Sequence, residues 1–273
     1  MELLETSNNI FMSVITLLTD FGHKDWYVAS MKGCILSLAP DAVCIDITHE
    51  IPPGDIRTAA FTLAQSYSDF PEQTIFLCVV DPGVGTKRSA IAIRLGRNYL
   101  VGPDNGTFSY LVDREKDRDI EIYKIENEIF FNKQPSHTFH GRDIFAPVSA
   151  HLAHGVVISK LGPRLEKIEK VNLPRATYFK RKAKGEILFI DHFGNAITNF
   201  IQKELEPNFQ SNKIMLTVGD YIIPFVKTFG DVAEGELLGY YGSGGFVEIA
   251  LNGGNAKEEI SLRIEQKVEI TLR

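Results

Sequence analysis

Thr74-Ile-Phe-Leu-Cys-Val-Val80 runs without a break into Asp81-Pro-Gly-Val-Gly-Thr-Lys-Arg88. The continuous apolar run reads as a strand buried on both faces, the kind found in parallel sheets covered by helices. It ends on a carboxylate and a glycine-rich turn, with an arginine just beyond. Open α/β sheets bind ligands at the carboxyl ends of their strands. A later segment, Thr138-Phe-His140-Gly-Arg-Asp-Ile144, sets a histidine on a glycine-containing turn before a helix. Asp81, Arg88 and His140 are therefore expected to converge on one crevice. There a carboxylate, a cation and an imidazole can order and deprotonate a water.

Working outward, the first half alternates strands and helices. Val14–Leu18 is another buried run and ends at Thr19-Asp20-Phe21-Gly22. Val28, Met31, Ile35 and Leu38 recur at helical spacing, and Pro40 stops that helix. Val43–Ile47 is the next strand. Pro53-Gly54-Asp55 introduces a helix with Ile56, Ala60, Leu63 and Tyr67 on one face. Shorter strands are expected at Ala90–Arg94, Tyr99–Val101 and Ile120–Ile125. His140-Gly141-Arg142-Asp143 opens a helix through about His154, with Pro147 in its first turns. This alternation predicts a Rossmann-like α/β domain over 12–178, its sheet mostly parallel and covered on both faces.

Beyond Leu173-Pro174 the pattern changes. The basic run Lys180–Lys184 reads as a linker. Helical periodicity then gives way to short strand patterns at Ile187–Ile190, Ile214–Val218, Tyr221–Pro224, Leu237–Tyr241, Phe246–Ala250 and Val268–Leu272, with glycine turns between them. That spacing predicts a small β-barrel or sandwich over 183–273.

Composition narrows the class. The 273 residues are 44% hydrophobic and 23% charged, an ordinary globular balance. A net charge of −6 argues against nucleic acid as a partner, since such binding needs a basic face. No apolar run reaches the roughly 18 residues of a membrane span. Cys34, Cys44 and Cys78 are odd in number and lie within strand or helix patterns, so they read as core residues of a cytoplasmic protein. Met1–Asn9 carries two glutamates and neither lysine nor arginine, unlike a secretory signal. Residues 1–11 read as an extension before the first strand.

Single residues admit two readings each. Asp20 is a helix cap or turn closure, or else a carboxylate at the sheet edge that accepts both hydroxyls of a ribose. Asp81 is an Asp-Pro-Gly turn residue or a catalytic carboxylate. Asp104, in Gly102-Pro-Asp-Asn-Gly106, reads as a plain turn. Arg88 is a surface ion-pair partner or part of the crevice, and His140 a structural histidine or a site residue. In the second half, Asp191-His-Phe-Gly194-Asn195 is a hairpin with Asx bonds, or a zwitterion site in which Asp191 meets an ammonium and Asn195 both donates and accepts. Tyr241-Gly-Ser243-Gly-Gly-Phe246 and Asn252-Gly-Gly254 admit close backbone approach to a ligand, and Phe229 suits stacking on a flat heterocycle. Gly83-Val-Gly85-Thr-Lys87 lacks phosphate-loop spacing, and both the dinucleotide fingerprint and the G-x-S-x-G elbow are missing. Asp20, Asp81, Asp104 and His140 are conceivable metal ligands, but compact ligand spacing is absent, so no metal is expected.

Six segments in register, Thr19–Gly22, Val80–Gly85, Gly102–Gly106, Phe139–Pro147, Asp191–Asn195 and Ile249–Ala256, together resemble the S-adenosyl-L-methionine (SAM) hydrolases. These are also called SAM hydroxide adenosyltransferases and are relatives of the fluorinase and chlorinase. The resemblance runs from about Val14 to the C-terminus. It implies an α/β domain, a β-barrel and a homotrimer with active sites between subunits. It also implies attack of water or hydroxide on C5′ of SAM, giving adenosine and L-methionine without metal or cofactor. The family's Asp–Arg–His set falls on Asp81, Arg88 and His140, its ribose aspartate on Asp20, and its methionine-binding pair on Asp191 and Asn195. Phe229, Ser243, Phe246 and Asn252 complete the expected substrate contacts. The halogenating relatives carry a tyrosine at Asp81 and a tyrosine–serine pair at His140-Gly141. Two adenine-side arginines of the fluorinase correspond to Gly244 and Leu251, so backbone groups near Asn252 are expected to replace them.

The chemistry suits these residue types. A neutral thioether leaves from a sulfonium, so no general acid is needed. The difficulty is holding a weak nucleophile in line with the C5′–S bond. Asp81 is read as proton acceptor, with Arg88 and His140 orienting, and His140 is the rival base. A SAM- or nucleoside-binding sensor without turnover, a SAM-dependent halogenase and a metal-dependent nucleotide hydrolase remain as alternatives.

Overall fold

A computed structural model describes residues 13–207 and 214–272. The expected extension at residues 1–11 lies outside them. The chain divides between Asn172 and Leu173 into two compact units.

The first unit is built on one seven-stranded sheet. In chain order it contains β1 (Val14–Thr19), α1 (Tyr27–Leu38), β2 (Val43–Thr48), α2 (Ile56–Ser66), β3 (Ile75–Val79), β4 (Ala90–Leu95), β5 (Asn98–Pro103), α3 (Ser109–Arg114), β6 (Ile120–Lys124), α4 (Ala146–Ala153) and β7 (Arg164–Leu165). The strand order is β2-β1-β3-β5-β4-β6-β7. β2, β1, β3 and β5 are parallel, whereas β4, β6 and β7 join antiparallel. The sheet is thus mixed, not mostly parallel. The cause is local: β4 and β5 are linked only by Gly96-Arg97, with Leu95 paired to Asn98 and Gly96 at φ +61°. A two-residue loop joins only antiparallel strands.

Strand β3 explains its own unalternating sequence. Ile75, Leu77 and Val79 pack on the face covered by α1 and α4, while Phe76, Cys78 and Val80 pack with Leu63 of α2 and Leu111 of α3. Fully burying a side chain such as Phe76 or Leu77 contributes about 1.5–3 kcal/mol. The period of two carries Asp81 to the same face as Val79. Both line one cleft with His140.

The helix expected from His140 begins differently. Gly141–Phe145 forms a π-helical turn before α4. Pro147 has no N–H to give to the carbonyl of Asp143. That carbonyl instead accepts from the amide of Asn132 at 2.9 Å. Elsewhere α1 buries Val28, Met31 and Ile35, while Leu38 at its end is partly exposed. Asp55 caps α2, accepting from the Thr58 amide at 3.0 Å.

The second unit is a nearly closed, antiparallel, barrel-like sheet. It contains β8 (Thr177–Tyr178), β9 (Lys182–Ile190), β10 (Ala196–Ile201), α5 (Gln202–Leu205), β11 (Ile214–Val218), β12 (Tyr221–Pro224), β13 (Leu237–Tyr241), β14 (Phe246–Leu251), α6 (Ala256–Glu259) and β15 (Lys267–Leu272). The order is β12-β11-β15-β9-β10-β14-β13, and Phe225 bridges Gly239 between the two ends. The supposed linker at Lys180–Lys184 is largely strand: Ala183 is buried, while Lys182 and Lys184 on either side pair with Glu269 of β15. The charges mark a solvated strand face. β10 escaped sequence reading because Thr198 and Asn199 are polar. Both are buried and satisfied, Thr198 Oγ1 by the Val247 carbonyl at 2.7 Å and Asn199 Oδ1 by the Glu186 amide at 2.8 Å.

Candidate active site

In the first unit Asp20, Asp81 and His140 line one cleft of about 350 Å³ with Phe21, Tyr27, Val79, Val84, Thr138, Phe139 and Gly141, while Arg88 reaches it through Asp81 and His140. The volume is within the ordinary range for a small-molecule site. Phe21, Tyr27 and Phe139 form a mutually contacting triad, with ring centroids 5.2 to 6.0 Å apart, so one wall is aromatic.

Arg88 ties Asp81 to His140 behind the cleft lining. Its Nε donates to both oxygens of Asp81, at 2.9 and 3.0 Å, and its Nη2 donates to Oδ2. The same Nη2 lies 2.8 Å from His140 Nδ1. The Asp81 and Arg88 side chains are 5% and 11% exposed, so this is an enclosed pair, not a surface one. The guanidinium also stacks over Phe145, 5.3 Å from the ring centroid. Burial, and then the neighbouring Arg88 charge, hold His140 below the ordinary histidine value. The site therefore offers a carboxylate, a cation and a neutral imidazole to whatever occupies the cleft.

Asp20 accepts from the amide of Gly54 at 2.8 Å. It does not cap α1, whose N-cap is Trp26 with no side-chain bond. Its loop is pinned by His49, which sequence reading passed over. The His49 carbonyl accepts from the Gly22 amide at 2.8 Å, and Nδ1 meets Thr19 Oγ1 at 2.7 Å. Asp104 is committed elsewhere, its Oδ1 accepting from the Glu169 amide at 2.8 Å. Among the described residues no three His, Cys, Asp or Glu side chains form a group that could hold a metal.

The second unit carries the other nominated group. Asp191 Oδ1 accepts from the amides of Phe193 and Asn195 at 2.9 and 2.8 Å, and Oδ2 accepts from Asn195 Nδ2 at 3.0 Å. The Asx-turn reading is met, and the turn fixes the orientation of the carboxylate. Gly194 sits at φ +85° with the Asn255 side chain filling the space a Cβ would take. Asn255 in turn caps α6. Phe229 is partly exposed and its ring lies 5.1 Å from Tyr240. Asn252 Nδ2 donates to the Val232 carbonyl at 3.0 Å. Ser243 is exposed in the turn before β14, whereas Phe246 is buried. Sequence reading missed Phe193, an exposed aromatic inside the quoted Asp191–Asn195 segment. It also missed Glu248, which accepts from the Tyr240 hydroxyl at 2.6 Å and whose carboxyl is raised by burial.

A mixed α/β unit with a carboxylate–arginine–histidine cleft and a barrel-like unit with a preset Asp–Asn turn make a two-domain protein whose parts match described domains. Residues 15–162 match the SAM hydroxide adenosyltransferase N-terminal domain, and residues 185–269 match the C-terminal domain. The chain belongs to the SAM hydroxide adenosyltransferase family. It is 38% identical over 261 residues to the (R)-S-adenosyl-L-methionine hydrolase of Thermus thermophilus, covering 92% of this chain and 97% of that one. To the enzyme of that name from Salinispora tropica it is 40% identical over 262 residues, covering 94% and 97%. The crystal structure of an uncharacterized conserved protein from Thermotoga maritima superposes with a TM-score of 0.87 at 40% identity, covering 94% of this chain and 99% of that one.

Proposed function

We propose that this protein hydrolyses S-adenosyl-L-methionine to adenosine and L-methionine. The observation that carries the reading is the span of Arg88 from Asp81 to His140 in the aromatic-walled cleft that also holds Asp20. Family membership and two hydrolases at 38% and 40% identity support it.

In this scheme the oxygen of a water attacks C5′ and the C5′–S pair leaves with sulfur, giving the neutral thioether of methionine. The water's proton goes to Asp81. Oδ1 takes one bond from Arg88 and keeps a lone pair for the water. Arg88 fixes the carboxylate and His140 orients the nucleophile, in-line placement being the main saving. Asp20 receives the ribose hydroxyls. Asp191 takes the α-ammonium, with Asn195, Phe229, Ser243, Phe246 and Asn252 as further substrate contacts from the second unit. No cofactor or metal enters, because the leaving group needs no acid.

A homotrimer with active sites between subunits accompanies this reading through the family resemblance. Three free thiols, at Cys34, Cys44 and Cys78, suit a reducing compartment, and we assign the protein to the cytoplasm. Among the described residues no helix is long and apolar enough to cross a membrane.

The test is incubation of purified protein with SAM in EDTA, with products separated by chromatography. Adenosine and methionine in equal amounts are expected. Methylthioadenosine or S-adenosylhomocysteine as main product, or activity lost to the chelator, overturns the scheme.

A further inference from the structure

The backbone on either side of the Asp81–Arg88 pair is held by a single turn. Asn105 Nδ2 donates to the carbonyl of Val80 at 2.8 Å, the residue before Asp81. The amide of Asp104 donates to the carbonyl of Ser89 at 2.9 Å, the residue after Arg88. The turn Gly102-Pro-Asp-Asn-Gly106 therefore clips both ends of the Asp81–Arg88 segment.

The clip is itself fixed. Asn105 Oδ1 accepts from the amide of Thr107 at 3.2 Å and from its hydroxyl at 2.8 Å. Thr107 is fully buried. With Oδ1 committed to these donors, the amide end of Asn105 must be the one that faces Val80. A carboxylate there would set an acceptor against an acceptor. A Cβ on Gly102 would collide with the Cys78 carbonyl and the Phe108 ring. Gly106, at φ +105°, lies where a Cβ would come within 2.7 Å of the Val171 amide nitrogen. The turn has little freedom to move without moving β3 and its neighbours.

We propose that Asn105 is a positioning residue for the cleft: it anchors the backbone carrying Asp81 so that Arg88 spans Asp81 and His140 at fixed distances. Arg88 bonds Asp81 and His140 at once, so a shift of the Asp81 backbone draws the guanidinium away from His140 Nδ1. The kinetic consequence rests on the hydrolase reading above. Reacting groups held in line tolerate little displacement, and about 1 Å of misplacement is enough to cost about a hundredfold in rate.

The test uses Asn105→Asp, close in shape but without the donor, and Thr107→Val, which removes the hydroxyl that fixes the Asn105 amide. The first readout is the titration of the His140 ring by NMR in the intact protein. His140 is faced by Arg88, Asp81, Asp143 and His137. With Arg88 drawn away, His140 is expected to titrate at higher pH than in the wild type, more so in Asn105→Asp than in Thr107→Val. The second readout is SAM turnover, where kcat is expected to fall about tenfold or more in Asn105→Asp with KM within about threefold. A thermal melt confirms folding, and Thr107→Val carries the test if Asn105→Asp does not fold. His140 titrations matching the wild type in the folded variants overturn the proposal, as does a loss confined to melting temperature. A wild-type protein that releases no adenosine from SAM defeats the hydrolase reading instead, and the His140 titration still decides the role of Asn105.

Discussion

Arg88 Nη2 stands 2.8 Å from His140 Nδ1, and this contact fixes the tautomer of the histidine. A guanidinium has donors and no acceptor, so Nδ1 must offer its lone pair and the neutral ring carries its proton on Nε2. The one basic nitrogen of His140 is already engaged. This favours Asp81 over His140 as the group that takes a proton from water, and it gives His140 the role of a donor.

The pH dependence follows from the same contact. His140 titrates below the ordinary 6.5, first through burial and then through Arg88. As pH falls, the unfolded chain takes up a proton at this residue before the native protein does. Stability from the neutral ring is thus present above 6.5 and lost as pH falls from 6.5 through the folded value. SAM turnover is expected to be flat through neutral pH and to decline only below 6.5, where protonation of Nδ1 breaks the bond to Arg88. A pH–rate profile checks this, and an acid limb centred above 6.5 in the wild type but missing in His140→Ala contradicts it.

Binding and chemistry should separate by residue. Asp81→Asn is expected to lower turnover by at least about a hundredfold with SAM affinity little changed. It also leaves the Arg88 charge, 11% exposed, without its counter-ion, and a cost of about 1–3 kcal/mol in urea unfolding is expected. Asp20→Ala should instead weaken SAM binding, measured by calorimetry. If Asp20→Ala binds normally while Asp81→Asn fails to bind, the two carboxylates have each other's roles.

Halide is expected to be excluded. The cleft presents Asp81 and Gly141, where the family resemblance implies a tyrosine and a serine in the halogenating branch. A carboxylate repels a small anion by roughly 1 kcal/mol at about 4 Å even with water-like screening, and by more when partly buried. High chloride or fluoride should leave adenosine as the product. A 5′-halo-nucleoside rising with halide concentration, seen by mass spectrometry, would assign the protein to the halogenating branch.

The loop after Asp81 depends on Gly85. Its φ is +75°, and a Cβ there would lie 2.7 Å from the carbonyl of His137. Gly85→Ala is expected to cost about 1–3 kcal/mol of stability. Because His137 precedes the segment that carries His140, turnover should fall as well. A melt and a rate matching those of the wild type would show that the two segments move independently.

Much of this protein is written in short-range pattern. The runs Val14–Leu18 and Thr74–Val80, the 3.6-period of Val28, Met31 and Ile35, and the turn residues after each strand determined β1, α1 and β3, because burial on two faces or one stripe dictates local composition. The sequence also placed Asp81, Arg88 and His140 at one crevice, because strand ends and glycine turns mark the sheet edge, but it did not show which of them bond to each other. What chain-local pattern does not encode is which distant group meets which. The antiparallel β4 rests on a two-residue loop and on its partners β5 and β6. The π-helical turn after His140 rests on a proline and on the amide of Asn132. The polar strand β10 is readable only once Val247 and Glu186 satisfy Thr198 and Asn199. The bond from Arg88 to His140 spans 52 residues and that from Asn105 to Val80 spans 25. Hydrogen-bond commitment belongs to pairs, and only the tertiary structure brings the members of such pairs together.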